Sequence, residues 1–203
     1  MIIFTAYYQV TTSILRKQIE EANIMSVSQF QGLIEDEIDR AKRIGMAMNN
    51  NPELGALMPL TKEDITARDQ LNILKFRRLL SNYSASNSFI NDIYVHLKNS
   101  QYCISISGFR SAFDTFYESH GNKGEKILFN DWLGIMDQYH SGDIIAISKI
   151  IHNGEWEQNS LYYIQSLPAL PLNSNDATLA LEFSQESIEK AMNIELLPNN
   201  AYL

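Results

Sequence analysis

Apolar residues recur with a helical period through the first quarter of the chain. From Leu15 to Met48 they follow one another at spacings of four and three residues, and charged residues occupy the opposite face. Neither Pro nor Gly occurs before Gly32, which lies inside the periodic run. The pattern predicts one long helix over residues 1–50, about 65 Å long if it is continuous from near residue 5. Such a helix is longer than a compact domain needs, so we expect it to connect separated bodies or to pack against a partner helix.

Two start signals follow the long helix. Residues 51–53, Asn-Pro-Glu, have the order of an N-cap, a proline in the first turn and an acid facing the helix dipole. Residues 61–64, Thr-Lys-Glu-Asp, resemble a capping box and precede an apolar helical face. We predict that this second helix ends near Asn82.

Downstream of the second helix the period changes from helical to alternating, which is typical of strands. Ile93 and Val95 share one face of the first strand, whereas Tyr94 and His96 point to the other. The predicted strands cover residues 89–97, 102–106, 144–151, 161–167 and 178–183, and short helices begin near Ser111, Asn130 and Ser184. The fold class is therefore predicted to be α+β. In residues 51–203 we expect a PAS-like, five-stranded antiparallel sheet flanked by short helices, after the long N-terminal helix.

Charge and cysteine content narrow the function classes. The net charge of −8 argues against binding to nucleic acid or to an anionic membrane surface, since both require clustered Lys and Arg. The single cysteine, Cys103, cannot form an internal disulfide and does not decide the compartment. Residues 1–15 carry no charge. They are either the first turns of a buried helix or the outer end of a transmembrane helix, with Tyr7 and Tyr8 near the interface.

No sequence pattern indicates an enzyme active site. The four histidines, His96, His120, His140 and His152, lie far apart, and none has a metal-ligand spacing. A nucleophile elbow, a P-loop and a dinucleotide fingerprint are all missing from the sequence. Cys103 alternates with apolar neighbours and is interpreted as a small core residue. We therefore predict a protein that is not an enzyme and has no metal site and no cofactor.

Aromatic and polar residues that could form a recognition pocket are concentrated between residues 105 and 139 and on the strands. Arg110 directly follows the second predicted strand, where a guanidinium could meet a carboxylate or hydroxyl groups. The ligand-binding candidates are Tyr94, Arg110, Tyr117, Trp132, Tyr162 and Gln165. The alternative is that most of the aromatic residues form the core between the sheet and its helices.

Residues 80–96, LSNYSASNSFINDIYVH, resemble a segment of extracytoplasmic double Cache sensor regions, in particular those of membrane-bound AraC-type transcriptional regulators of Gram-positive bacteria. In that family a helix ends, an Asn-rich bend follows and the first strand contains Ile-Tyr-Val. The Phe-Tyr pair at residues 116–117, Trp132, the Ala-Thr-Leu strand and the Ser-x-x-Ser-Ile segment at residues 184–188 are also similar. The resemblance extends over nearly the whole chain.

The resemblance implies that the long helix is the spine of a sensor and that the sheet carries its membrane-distal pocket. It implies a transmembrane helix before Ile2. A membrane-proximal module, a second transmembrane helix and a DNA-binding helix-turn-helix would follow. The family's amino-acid signature pairs an Arg with a Trp-Tyr, but Arg110 and Trp132 do not have its spacing and Leu133 replaces the Tyr. The resemblance therefore does not imply an amino-acid ligand.

The leading hypothesis is an extracellular signal-sensing domain at the cell membrane. It would bind a small extracellular molecule and signal across the membrane to a DNA-binding transcriptional regulator, while this fragment itself binds no nucleic acid. The alternatives are the ectodomain of a histidine kinase or a chemoreceptor, and a ligand-free protein-interaction scaffold. The long helix could also pair with a second copy in a homodimer. Because Ser26 and Glu37 interrupt its apolar stripe, signal transmission is favoured over a strong coiled coil.

Overall fold

A computed structural model describes residues 2–61, 65–120, 126–151, 156–168 and 176–196. The chain divides into two compact units, one made of Met1–Glu37 with Glu186–Leu203 and the other of Ile38–Gln185. Within the described ranges, no helix combines the length and the apolar character that crossing a membrane requires.

The long helix predicted from the apolar period is confirmed, since α1 runs over Ile2–Asn49. The two parts of its apolar stripe differ in burial. Ala41, Ile44 and Met48 are buried, so this end of the helix contributes to the core of the larger unit. Ile19, in the upstream part, is 60% exposed.

Two further helices precede the sheet: α2 (Pro52–Leu57) and α3 (Ala67–Ala85). Asn51 caps α2 as predicted, because its side-chain oxygen accepts a hydrogen bond from the Leu54 N–H at 2.8 Å. The capping box of α3, in contrast, is formed by Thr66 and Asp69. The sequence predicts the capping box at the similar Thr-x-x-Asp pattern of residues 61–64, five residues earlier. Residues 62–64 lie outside the described ranges. Both segments fit the same pattern, so the sequence alone does not distinguish them.

The sheet contains six antiparallel strands rather than five. They are β1 (Ile90–Leu97), β2 (Tyr102–Ser105), β3 (Phe109–Ser111), β4 (Ser141–Ile151), β5 (Trp156–Leu167) and β6 (Ala177–Phe183), in the order β3-β2-β1-β6-β5-β4. The additional strand, β3, has only three residues, which is too short to show an alternating pattern. Between β3 and β4 lie α4 (Ala112–His120) and α5 (Lys126–Asp137), and α6 (Gln185–Leu196) follows β6. The α+β class with a long N-terminal helix is confirmed.

The two faces of the sheet differ in chemistry. On one, called here the aromatic face, Tyr94 and Tyr162 are buried together with Trp132 and Phe116 from α5 and α4. The opposite face, called the α1 face, carries Ile93, Val95 and Leu97 of β1, as the alternation predicts. Gly45 of α1 lies against Tyr163 and Gln165 on this face, and a β-carbon at Gly45 would overlap the Gln165 amide oxygen. The absence of a side chain therefore allows the helix to approach the sheet closely.

Candidate functional site

The aromatic face and the helices above it form a buried cluster of aromatic rings. Trp132 of α5 is only 1% exposed. Its ring centroid lies 6.1 Å from that of Tyr94 and 5.7 Å from that of Phe116. The rings of Tyr94 and Tyr162 meet edge to face with centroids 6.2 Å apart. Such geometry is favourable for aromatic pairs, so α5 is held on the sheet by ring contacts.

Polar groups connect these rings into a hydrogen-bonded chain. The indole N–H of Trp132 donates to the Tyr94 hydroxyl at 3.4 Å. The Tyr162 hydroxyl is hydrogen-bonded to the side chains of both Tyr94 and Glu182. The indole is only a donor, so Trp132 donates to Tyr94, and the two hydroxyls link Tyr94 through Tyr162 to the Glu182 carboxyl group. We call these four residues the relay.

Burial fixes the protonation of the two tyrosines. Loss of hydration raises the pKa of Tyr94 well above its ordinary value. The hydrogen bond from Trp132 lowers this pKa, but its effect is smaller. Burial also raises the pKa of Tyr162, and the neighbouring Tyr94 and Glu182 raise it further. Both phenols therefore remain neutral at any physiological pH. They can give or accept hydrogen bonds, but they cannot supply a negative charge.

Glu182 is the relay member that the sequence interpretation missed. It lies on β6, only 4% exposed, opposite Asp92 on β1 and Tyr162 on β5. The sequence does contain a signal for Glu182: it is a charged residue between Leu181 and Phe183 in an otherwise apolar strand. A buried carboxyl group needs hydrogen-bond donors, and a single charged residue in an apolar strand indicates that the fold supplies them.

Side chains from β6 and from the segments next to β1 and β4 hold the C-terminal turn of α5. Thr178 donates to the Met136 carbonyl at 2.6 Å, and His140 Nε2 donates to the Ile135 carbonyl at 2.7 Å. Lys98 donates to the Asp137 carbonyl at 2.5 Å. The last turn of a helix leaves carbonyl groups without intrahelical partners, and these contacts satisfy them. They also fix the position of α5, and therefore that of Trp132.

His96 lies buried below the same helix end. Its Nε2 is 3.3 Å from the Asp137 carboxylate, and its Nδ1 is 3.7 Å from Cys103 Sγ. A neutral ring with its proton on Nε2 fits both neighbours, since it donates to the carboxylate and accepts from the thiol. Burial lowers the pKa of His96, although the nearby Asp137 opposes this shift. Burial also raises the pKa of the Cys103 thiol to about 12, which fits the predicted role as a core residue.

Three of the six predicted ligand-binding residues come together: Tyr94, Trp132 and Tyr162. Arg110 lies on β3, exposed, and the register with Cys103 places it on the aromatic face. Tyr117 belongs to α4, and its side chain lies outside the described residues.

Gln165 requires a correction. It is a predicted ligand-binding residue together with Tyr162, but it lies on the α1 face and accepts a hydrogen bond from Tyr163 at 2.7 Å. The two positions are an odd number of residues apart on β5, and side chains alternate between the faces of a strand. Gln165 therefore contacts α1 and is separated by the sheet from the relay.

In the part of the chain that the structure describes, no three side chains of His, Cys, Asp or Glu lie close enough together to hold a metal ion. Neutral phenols, an indole N–H and a buried carboxyl group are groups that bind a ligand through hydrogen bonds. In this structure the relay groups bind one another, so a ligand at the relay would have to exchange these hydrogen bonds.

Comparison with known proteins supports the fold. No protein-family model matches the sequence, and no curated protein matches it. Among solved structures, the sensory domain of the Campylobacter jejuni chemoreceptor Tlp3 with isoleucine bound is similar at a TM-score of 0.52 and 14% identity, over 89% of this chain and 63% of that one. A domain of a protein described as a sensory box/GGDEF family protein from Vibrio parahaemolyticus gives 0.55 at 10% identity, over 86% and 64%.

The extracellular domain of a protein described as a histidine kinase is also similar, with a TM-score of 0.54 and 9% identity over 86% of this chain and 61% of that one. Of these three neighbours, the Tlp3 structure is described as a sensory domain. At such low identity the likeness shows the fold alone. The chain spans less than two thirds of each of these structures.

Proposed function

We propose that this chain is the signal-sensing domain of a signalling protein and that it binds a small molecule at the relay, between the aromatic face and α5. The observation that carries the proposal is the hydrogen-bonded chain from Trp132 to Glu182, enclosed by aromatic rings. A purely structural core would bury apolar groups at lower cost than a carboxyl group and two hydroxyls. The fold shared with sensory domains supports the same proposal.

The proposed site consists of Tyr94, Trp132, Tyr162 and Glu182, and Arg110 lies exposed on the same face of the sheet. A ligand with hydroxyl or amino groups would exchange hydrogen bonds with the relay, and its apolar part would contact the rings. Tlp3 structures contain isoleucine or L-norvaline, which are small molecules of this combined character. The departure from the family's amino-acid signature leaves sugars, amines and organic acids as equally suitable classes for this chain.

The proposed full-length protein is anchored in the cell membrane with this domain on the extracytoplasmic side. An output domain of the chemoreceptor or histidine-kinase type has the support of structural neighbours. An AraC-type regulator rests on the sequence resemblance alone. Binding biases either output only through different affinities for two states of the domain. Because α5 carries Trp132, a shift of α5 is the change we propose.

We also propose that the upstream part of α1 pairs with a second copy in the full-length protein. Ile24, Met25 and Val27 form an apolar stretch that is 64%, 64% and 58% exposed. An exposed apolar stretch on a helix is typical of a surface that packs against another helix. Sedimentation of the wild type and of an Ile24→Glu, Val27→Glu double variant would test this. A monomeric wild type across the accessible concentration range would contradict the pairing.

A ligand screen by thermal shift tests the sensing function. We expect at least one compound among amino acids, sugars, amines and organic acids to raise the melting temperature. The rise should be lost in Tyr162→Phe, which removes a hydroxyl of the relay, and retained in Tyr102→Phe, which removes a hydroxyl of the α1 face. If no compound stabilises the chain, or if both variants respond like the wild type, the proposed site is wrong.

A further inference from the structure

A second candidate site lies along α3, away from the relay. One cleft of about 370 Å³ is lined by four apolar side chains and one amide: Ile65, Gln70, Ile73, Leu74 and Phe109. An adjoining cleft of about 380 Å³ is lined by Leu74, Arg77, Arg78, Ser81, Asn82 and Ile106. Leu74 belongs to both clefts, and the register of β3 with Ile104 places Phe109 on the α1 face. The two clefts together form a groove on the opposite side of the sheet from the relay.

The two ends of this groove, called the α3 groove, differ in charge. Among the described residues that line it there is no carboxylate, whereas one end presents two guanidinium groups. Arg77 donates to the backbone carbonyls of Ser105 and Ile106, at 3.4 and 3.0 Å, which fixes its position over the loop. Arg78 is exposed and forms no hydrogen bond or ion pair with the described part of the chain. In a chain of net charge −8, this end is a local concentration of positive charge.

We infer that the α3 groove binds an amphiphilic carboxylate, that is, a small molecule with an apolar tail and one carboxylate group. The apolar cleft would accept the tail against Ile73, Leu74 and Phe109. The carboxylate would lie at the guanidinium of Arg78, with Arg77 contributing from the loop side. Guanidinium groups match carboxylates in geometry and charge, and each cleft has the volume of an ordinary small-molecule site. Nothing in this assignment depends on the relay or on the sensing function.

Octanoate is the probe for this site, with octanol and acetate as controls. Octanol keeps the tail without the charge, and acetate keeps the carboxylate without the tail. By calorimetric titration of the intact chain we expect octanoate to bind about tenfold more tightly than either control. Equal binding of octanol would show nonspecific apolar adsorption, equal binding of acetate would show an adventitious anion site, and either result would overturn the proposal. An absence of octanoate binding would overturn it as well.

Matched variants locate the binding. Arg78→Gln should weaken octanoate by about threefold to tenfold, because one charge-assisted contact is lost. Lys75→Gln makes the same change of charge on an exposed residue of α3 that lines neither cleft, and it should leave the affinity within about twofold.

Two leucines of α3 give a second pair. Leu74 and Leu71 are both 52% exposed, but only Leu74 lines the groove. We expect Leu74→Ser to weaken octanoate binding and Leu71→Ser to leave it unchanged. Circular dichroism and melting curves confirm that each variant is folded before titration. If the members of either pair have equal effects, the ligand is not bound in the α3 groove.

Discussion

At the scale of single residues, the relay is the feature that separates this core from an ordinary apolar one. Glu182 and Tyr162 are buried polar groups whose cost is offset by hydrogen bonds to each other and, through Tyr94, to Trp132. Removal of one member leaves another without its partner. The relay therefore contributes to stability as well as to the proposed ligand site.

A hydroxyl deletion measures this contribution. Tyr162→Phe removes the hydroxyl that links Tyr94 to Glu182, so the free energy of unfolding should fall by about 1–3 kcal/mol. The measurement is urea denaturation monitored by circular dichroism. Tyr102→Phe is the control: its ring stacks on Phe109, and its hydroxyl has no hydrogen bond to the described residues. That variant should lie within about 0.5 kcal/mol of the wild type. Equal losses in both variants would mean that the relay adds nothing.

Cys103 gives a prediction about reactivity. Burial raises its pKa to about 12, so the thiolate needed for reaction is scarce and inaccessible in the folded chain. We expect no labelling by a disulfide-exchange reagent at pH 8 in native buffer and complete labelling in denaturant. Rapid labelling of the native chain would show that the core opens around β2 more often than this packing allows.

At the scale of elements, the long helix and most strands could be predicted because their periods extend over many residues. The apolar period of α1 extends from Leu15 to Met48, and β1 has strict alternation from Ile93 to Leu97. Elements that depend on tertiary contacts were not predictable in the same way. β3 exists as a strand because Phe109 and Arg110 pair with β2, and the start of α3 at Thr66 was not distinguished from a similar pattern upstream.

The candidate site could be predicted only in part, for the same reason. The sequence places Tyr94 and Tyr162 on predicted strands and Trp132 on a predicted helix, and these three side chains do lie in one cluster. The face of Gln165 was predictable, because Gln165 and Tyr162 are an odd number of residues apart on one strand. Glu182 joins the relay through its cross-strand neighbour Tyr162, a contact between two strands that the sequence does not pair.

The contact between α1 and the sheet gives a prediction for an element. Gly45→Ala would place a methyl group on the Gln165 amide, so we expect a loss of about 1–3 kcal/mol in unfolding free energy. Gly32→Ala is the matched control on the same helix, because a β-carbon there meets no atom within 4 Å. That change should stabilise by about 0.5–1 kcal/mol, since Gly has a low helix propensity. Thermal and urea denaturation of both variants would show the difference, and equal effects would refute the close approach at Gly45.

At the scale of the whole molecule, His96 makes stability depend on pH. Its folded-state pKa is lowered by burial below the unfolded value of 6.5, so the unfolded chain binds more protons in mildly acidic solution. The stability contributed by the neutral ring is complete above pH 6.5 and falls as the pH decreases below it. The slope for one proton is at most about 1.4 kcal/mol per pH unit.

Unfolding measured by urea at several pH values between neutrality and mild acid tests this dependence. We expect the wild type to lose stability on acidification and His96→Gln to lose less, since Gln does not titrate. A steeper loss in the variant, or no difference between the two chains, would show that His96 is not neutral in the folded state.

The central claim is that a small molecule binds at the relay, and the Trp132 indole N–H reports on that place directly. Nuclear magnetic resonance of the ¹⁵N-labelled chain gives two indole signals, one from Trp132 and one from Trp156, which lies about 20 Å along β5 from Tyr162. With a compound selected by thermal shift, we predict that the Trp132 signal moves in proportion to occupancy and that the Trp156 signal does not. If the compound binds while the Trp132 signal stays unchanged, the ligand site lies elsewhere and the account is wrong.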